Sequence, residues 1–543
     1  ELQVPEQKKQ EAQYREALAR IREIENDPAR LGKKRIAKAF FKAFAPSFVL
    51  RAARSVRRFC RGRKDAGFHW RSEYDRWIKR GTVCGSTDKK PECEPLISIL
   101  VPLYNTDKKM LEEMITSCLK QTYGNFELCL ADASDQAHGY VYETAAAFAA
   151  KDARIKLKKL EQNLGIAGNT NACRTMASGE YLALLDHDDR LTENALSAVV
   201  KAIADHHPDV LYSDEDHLKN GRRTLPFFKP DFNRDLLYSQ MYICHFLVFR
   251  TELFDQVGQM QELYSGSQDY DLMLRFTEYT QKIYHIPDVL YSWRETESST
   301  SANPEAKPYA HEAGRKALDA HLKRRYGSFA YAEDSAYLFV YDARFDTLKD
   351  RPLVSIIIPT KDHASDLKTC VESILQKSTY QNFEILILDN RSSEEATFSC
   401  FQDLQKQDGR IRIVEAPFAF NWSKLNNLGI QNSRGEVLIF LNNDTAVISP
   451  DWIERLAENA LRPDIGVVGA LLLYPDETIQ HAGVVVGMRG WADHVYKGQP
   501  LRHAADMFVS PMVNRDVLAV TGACMAVSRK TLQKIGCFDE SFI

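Results

Sequence analysis

From residue 96 onward, short apolar runs alternate with stretches of helical period. Ile97-Ser-Ile-Leu-Val-Pro102 is a β-rich run of the kind buried on both faces of a sheet. A helical stretch over 110–121 follows, then a second apolar run, Phe126-Glu-Leu-Cys-Leu-Ala-Asp132, that ends on an acid. Further strands are predicted at 181–185 and 210–213. Strands that alternate with helices predict an α/β fold, Rossmann-like, with a mostly parallel sheet and crossover helices. Ahead of this region, Tyr14, Leu18, Ile21 and Ile24 recur at helical spacing and predict a charged amphipathic helix over 8–26.

The pattern then repeats. Pro102 returns as Pro359 and Asp132 as Asp389, both 257 positions on; Gly179 returns as Gly435 and Asp188 as Asp444, 256 positions on. A period this long marks duplicated domains, because solenoid repeats run about 20–50 residues. The predicted organisation is an N-terminal helical, basic amphipathic segment (1–95), a first α/β domain (96–345) and a second (352–543).

Charge changes the picture in one place. The net charge of −3 argues against a nucleic-acid partner for the molecule as a whole. Residues 28–64, however, hold thirteen Lys or Arg and no Asp or Glu, with Phe40, Phe44 and Phe48 interleaved. Such a segment either lies on an anionic membrane surface or packs as a solvated helix against the next domain. The eleven cysteines are scattered without a CxxC pair, which predicts reduced core residues and a cytoplasmic setting. The first twenty residues lack the apolar core of a secretory signal, and no apolar run approaches the ~20 residues that span a bilayer. The expected location is the inner face of a bacterial cytoplasmic membrane, held peripherally. The chain begins without Met and stops in mid-pattern, so it reads as a piece of a longer protein.

The strongest chemical signal is Leu184-Leu-Asp-His-Asp-Asp189, an apolar strand running into three carboxylates. Strand C-termini form the ligand crevice of a parallel sheet. Two acids two positions apart at such an end can hold a hard cation and a substrate phosphate, or can form a solvated acidic turn. The order of pieces is informative: Pro102 to Asn105, a strand ending in Asp132, Asn171, Gly179-Glu180-Tyr181, then Asp186 and Asp188. In this order they resemble glycosyltransferase family 2, whose members share the GT-A fold. The resemblance covers roughly 97–300 and again 354–543.

The resemblance implies roles position by position. Pro102, Tyr104 and Asn105 would line the nucleotide pocket, and Asp132 would contact a uracil- or thymine-type base. Asp186 and Asp188 would be the DxD motif that holds a divalent metal (Mg2+ or Mn2+) and the diphosphate, with Asn171 among the donor contacts. Asp269, in Gly266-Ser-Gln-Asp269, would be the catalytic base; its plainer reading is a helix N-cap. The pattern departs from the family at Gln268, at Thr170, and at Ser292 and Thr296, where a metal-binding His is common. His285 reads as a strand residue. In the second copy, Pro359, Asp389, Asn427 and Asn442 would be donor contacts and Asp444 the remaining metal ligand. Its Asn-Asn-Asp-Thr form resembles a rhamnosyltransferase-like branch.

The implied activity is inverting, metal-dependent transfer from a UDP- or dTDP-sugar to a growing surface glycan, with a glycan or lipid-linked glycan as acceptor. Two other readings stay open. One is a sugar-phosphate nucleotidyltransferase, which would need a Gly-rich loop after the first strand where this chain has Leu103-Tyr-Asn-Thr. The other is a carbohydrate- or nucleotide-binding scaffold, most natural for the second domain. By the first domain's spacing the second domain's base falls near position 547, past Ile543, so that domain is expected to be inactive in this chain.

Overall fold

In the computed structural model, residues 74–78, 93–295, 308–488, 491–501 and 509–541 are described. The chain divides into two compact units, 1–81 and 82–543. Of the first, 74–78 is a turn of helix in which Tyr74 stacks on Trp77, 5.7 Å between ring centroids. The amphipathic helix predicted over 8–26 and the basic segment 28–64 lie outside the described residues.

The second unit holds two large sheets. The first is built from β1 (Ile97–Leu103), β2 (Phe126–Asp132), β3 (Ile155–Lys159), β4 (Tyr181–Leu184), β5 (Arg190–Leu191), β6 (Val210–Lys219), β7 (Arg222–Phe227), β8 (Leu247–Arg250) and β9 (Ile283–Arg294). Its order is β3-β2-β1-β4-β8-β6-β9-β5, with β7 on β6. The half from β3 to β4 is wholly parallel, whereas β8 runs antiparallel to both β4 and β6. A hairpin, β10 (Ala330–Asp334) and β11 (Tyr341–Phe345), follows.

The second sheet contains β12 (Val354–Thr360), β13 (Phe383–Asp389), β14 (Ile411–Glu415), β15 (Val437–Leu441), β16 (Val467–Gly469) and, later in the chain, β21 (Cys524–Ser528). Its order is β14-β13-β12-β15-β21-β16. Two small ribbons lie between: β17 (Leu472–Leu473) with β18 (Ile479–His481), and β19 (Val484–Val486) with β20 (Ala492–His494).

The repeat read from the sequence is a repeat of register. Ile97 pairs with Phe126 and Leu103 with Asp132; Val354 pairs with Phe383 and Thr360 with Asp389. Details of packing recur as well. Ser98 Oγ donates to Glu127 Oε1 at 2.6 Å and accepts from Gly179 N at 2.8 Å. Ser355 does the same with Glu384 and Gly435, both at 2.8 Å. A Cβ on Gly179 would lie 2.7 Å from the Leu96 carbonyl, and on Gly435 2.7 Å from that of Leu353. Only glycine admits so close a pass of one strand lead-in against another, which explains why this residue recurs in the pattern.

The apolar residues of each strand feed cores on both sides of their sheet. The two halves meet at a buried ion pair: Arg462 Nη1 and Nη2 donate to the carboxylate of Asp235 at 2.8 and 2.9 Å. Beside it, Asn233 and Asp516 exchange two hydrogen bonds, 2.8 and 2.9 Å. The described cysteines are free; of Cys118, Cys129, Cys173 and Cys244, predicted to be core residues, the first three are buried and Cys244 is half-buried. Among the described residues no helix is long and apolar enough to cross a membrane.

Candidate active site

The sheet places Pro102, Asp132 and Asp186 at the C-terminal ends of the neighbouring parallel strands β1, β2 and β4. One cavity there is lined by Pro102, Thr170, Asp186, His245, Gln268 and Asp269 among others. Asp186 follows β4 directly, because the apolar strand ends at Leu184 and Leu185 and the chain must turn. That turn is held from β9. Tyr291 Oη donates to Asp189 Oδ2 at 2.5 Å, Arg294 N donates to Asp189 Oδ1 at 2.6 Å, and Arg294 Nε donates to the Asp188 carbonyl at 2.6 Å.

Asp186, Asp189 and His245 each offer a ligand atom, and these atoms lie within 4.8 Å of one another. Asp188 is not in that group; its carboxylate lies 4.0 Å from His187 Nδ1. His245 stands between two acids. Its Nε2 is 3.6 Å from Asp186 Oδ2 and its Nδ1 3.3 Å from Glu215 Oε2. Its ring stacks on Tyr291 with centroids 4.6 Å apart. Burial works to lower the imidazole pKa, but Asp186 and Glu215 outweigh it and raise it well above the ordinary value. Asp189 is also raised well above a normal carboxylate, first by burial and then by Asp186 and Asp188. Clustered negative charge of this kind is what a bound cation relieves. Two carboxylate oxygens and one imidazole nitrogen form a mixed donor set that fits a first-row divalent ion such as Mn2+.

Behind His245 lies a second layer that sequence reasoning missed. Asp214, Glu215 and Asp216 sit in β6, each no more than 2% exposed. Buried charges need partners. His285 Nε2 lies 2.8 Å from Asp214, Arg223 Nε donates to Asp216 at 2.6 Å, and Lys229 Nζ donates to Glu215 at 3.1 Å. Lys229 Nζ also donates to the carbonyls of Ile243 (2.6 Å) and His245. Glu215 in turn accepts the backbone N–H of His245 at 2.9 Å. The signal was present as three consecutive acids, Asp214-Glu215-Asp216, inside a strand that begins Val210-Leu-Tyr.

Asp269 sits in the first turn of the helix Gln268–Tyr279, whose N-cap is Ser267. The N-cap reading of Asp269 therefore gives way, and its side chain is left to the cavity. Burial raises its pKa above the usual carboxylate value, with the Tyr270 amide and His245 pulling the other way. A raised carboxylate is a stronger proton acceptor.

The other predicted residues divide. Pro102 lines the cavity, Tyr104 is 44% exposed beside it, and Asn105 takes a left-handed φ of 49° and donates to Asp135 at 3.0 Å. Asp132 is fully buried at the end of β2, with Lys159 Nζ at 2.6 Å and Ser134 N at 2.9 Å. Asn171 has both amide atoms on the backbone of Met260, at 2.9 and 3.1 Å, so Thr170 faces the cavity instead. Asn427 makes the same strut to Phe538 in the second domain, at 2.9 and 3.0 Å. Pro359 and Asp389 stand at the ends of β12 and β13, and Asp389 accepts from Ser392 N at 2.9 Å. Asn442 and Asp444 follow β15, and Asp444 is exposed.

The strand ends thus bring clustered acids, an imidazole and the carboxylate of Asp269 together. The model of glycosyl transferase family 2 matches residues 98–258 and 355–534, and the chain belongs to that family. Its two α/β units are tandem GT-A-type domains, as predicted. An uncharacterised protein of Sinorhizobium fredii is 44% identical over 82% of this chain and 49% of its own length. The O-antigen biosynthesis protein RfbC of Myxococcus xanthus is 36% identical over 82% of this chain and 35% of its own. The chain thus spans about half of the first relative and about a third of the second. Among solved structures, S. aureus TarS 1–349 in complex with UDP-GlcNAc is 23% identical, with a TM-score of 0.34 over 42% of this chain and 66% of that one. The mannosyltransferase PcManGT of Pyrobaculum calidifontis, in complex with GDP-Man and Mn2+, is 17% identical with a TM-score of 0.33, over 48% and 70% of the two chains.

Proposed function

We propose that the first domain transfers a sugar, with inversion, from a UDP- or dTDP-sugar to a growing bacterial surface glycan. The observation that carries the reading is the convergence of Asp186, His245 and Asp269 on one cavity at the strand ends, with Asp189 behind them and its ligand atom within 4.8 Å of those of Asp186 and His245. Pro102, Tyr104, Asn105 and Asp132 flank the place where the nucleotide would lie. A divalent ion held by Asp186, Asp189 and His245, with Asp188 beside them, would supply charge neutralisation for the departing diphosphate. Asp269 accepts the proton of the acceptor hydroxyl as it attacks. One base on the face opposite the leaving group yields single displacement and inversion. Tyr291 and Arg294 fix the acidic turn, and Lys229 with Glu215 fixes His245.

Kinship with an O-antigen biosynthesis protein supports a polysaccharide acceptor, and the Asn-Asn-Asp-Thr turn of the second domain supports a rhamnosyltransferase-like origin. The reading is tested by release of nucleoside diphosphate from a panel of UDP- and dTDP-sugars; at least one donor is expected to turn over. The basic segment 28–64 is proposed to bring the enzyme to an anionic membrane, where a lipid-linked acceptor lies. Salt-sensitive co-sedimentation with anionic vesicles is expected, and equal pelleting with neutral vesicles would remove this part.

A further inference from the structure

The register of the two sheets aligns the two sites residue by residue. Tyr181 pairs with Ile97 and Arg250; Val437 pairs with Val354 and Ser528. The cross-link is the same on both sides, since Thr251 N donates to the Glu180 carbonyl and Arg529 N to that of Glu436. Counting forward from β4 and β15, Asn442 stands for Asp186 and Thr445 for Asp189. Counting back from β8 and β21, Ala523 stands for His245. The Tyr212–Leu247 pair corresponds to Gly469–Met525, which puts Leu472, packed on the core, where the first domain has Glu215.

All three candidate ligands, and the acid that orients the imidazole, are thus replaced by uncharged residues. The second turn is instead closed on itself: the Asn442 carbonyl accepts from Thr445 Oγ1 at 2.9 Å and from the Cys370 thiol at 3.7 Å. His481 approaches this strand end through Thr521, but its Nδ1 lies 2.7 Å from His494 Nδ1 and its Nε2 accepts from Thr521 N at 3.4 Å. Asp444 is left as a single exposed carboxylate.

The same alignment shows where positive charge was added. Lys361 stands in the place of Tyr104, one residue past β12. Ala133 N bonds the Leu103 carbonyl and Asn390 N that of Thr360. Ser134 N bonds Asp132 Oδ1 and Ser392 N bonds Asp389 Oδ1, so Arg391 is an inserted residue, with a left-handed φ of 65°. Lys361 and Arg391 leave neighbouring parallel strands at the same level, and both are exposed.

We infer that, among the described residues, the chain carries one divalent-cation site, in the first domain, and that the second domain receives a nucleoside diphosphate without a metal ion, with Lys361 and Arg391 supplying positive charge at its strand ends. The inference rests on the metal reading of the first domain, and the experiment separates the two. Mn2+ bound to the full chain is counted by electron paramagnetic resonance of the free ion. One Mn2+ per chain is expected, none in the Asp189→Asn/His245→Ala variant, and an unchanged count in Asp444→Asn. Two ions per chain, one of them lost in Asp444→Asn, would overturn the inference and leave the first-domain reading standing. No bound ion in the wild type would overturn the first-domain reading itself. In EDTA, UDP or dTDP is expected to bind at one equivalent per chain, weaken with salt, and lose at least tenfold in affinity in Lys361→Ala/Arg391→Ala. Absence of binding in EDTA, or equal affinity in that variant, would overturn the assignment of the diphosphate to Lys361 and Arg391.

Discussion

Asp269→Asn is expected to lower kcat for sugar transfer by about 10²–10⁴-fold while leaving donor binding within a few-fold of wild type, because general-base assistance has that worth. Asn keeps the shape and the place in the first helical turn but cannot take a proton. Asn can still accept from the Tyr270 amide as the carboxylate does, and Ser267 keeps the N-cap position, so the start of the helix is retained. The proposed donor contacts lie at the ends of β1, β2 and β4 rather than on this helix. A fall in kcat without a matching loss of affinity marks a group used only in the transition state. Steady-state kinetics with the best donor, alongside nucleotide affinity, check both halves. A variant with wild-type kcat would remove Asp269 from the mechanism and return the residue to a structural role.

The second large effect is on stability. Lys229→Met is expected to destabilise the protein by about 3–5 kcal/mol, since it leaves a buried charge without its partner. The Lys229 side chain is fully buried, and it serves Glu215, the Ile243 carbonyl and the His245 carbonyl together. Burial alone would raise the Glu215 pKa; Lys229 and His245 reverse this and hold it at about 2. A depressed carboxylate contributes stability above its unfolded value and loses it as pH falls through the folded one. The contribution should therefore persist from neutral pH down to the ordinary carboxylate range and fade toward pH 2. A thermal midpoint lowered by roughly 6–20 °C is expected for a domain of this size. The double variant Lys229→Met/Glu215→Gln should recover part of the loss, because the orphaned charge is gone. An unchanged midpoint in the single variant would show that the pair is dispensable.

What the sequence disclosed follows from the nature of each signal. Apolar strands that end in acids locate Asp132, Asp186 and Asp389 directly, because strand and ligand crevice are contiguous in the chain. The duplication was legible because register preserves spacing, down to the glycines pressed against Ser98 and Ser355. The imidazole was not legible. His245 reaches Asp186 and Glu215 only through the antiparallel entry of β8 beside β4 and β6, some 30 or more residues away. Asn171 and Asn427 show the opposite failure. Each occupies a position that resembles a donor contact, yet each spends its amide on the backbone of a turn nearly 90 or more residues further on. A one-dimensional pattern cannot tell a side chain that faces the crevice from its neighbour that ties the helix down.

The most direct test of the account is whether turnover of the nucleotide sugar depends on a cation held by the first domain. Release of nucleoside diphosphate is measured with the best donor of the panel in Mn2+, in EDTA and after Mn2+ is restored, for wild type and for His245→Ala. Activity that disappears in EDTA, returns with Mn2+ and is severely reduced in His245→Ala at every Mn2+ concentration is the predicted result. Activity unchanged by EDTA, or equal in His245→Ala and wild type, would contradict it.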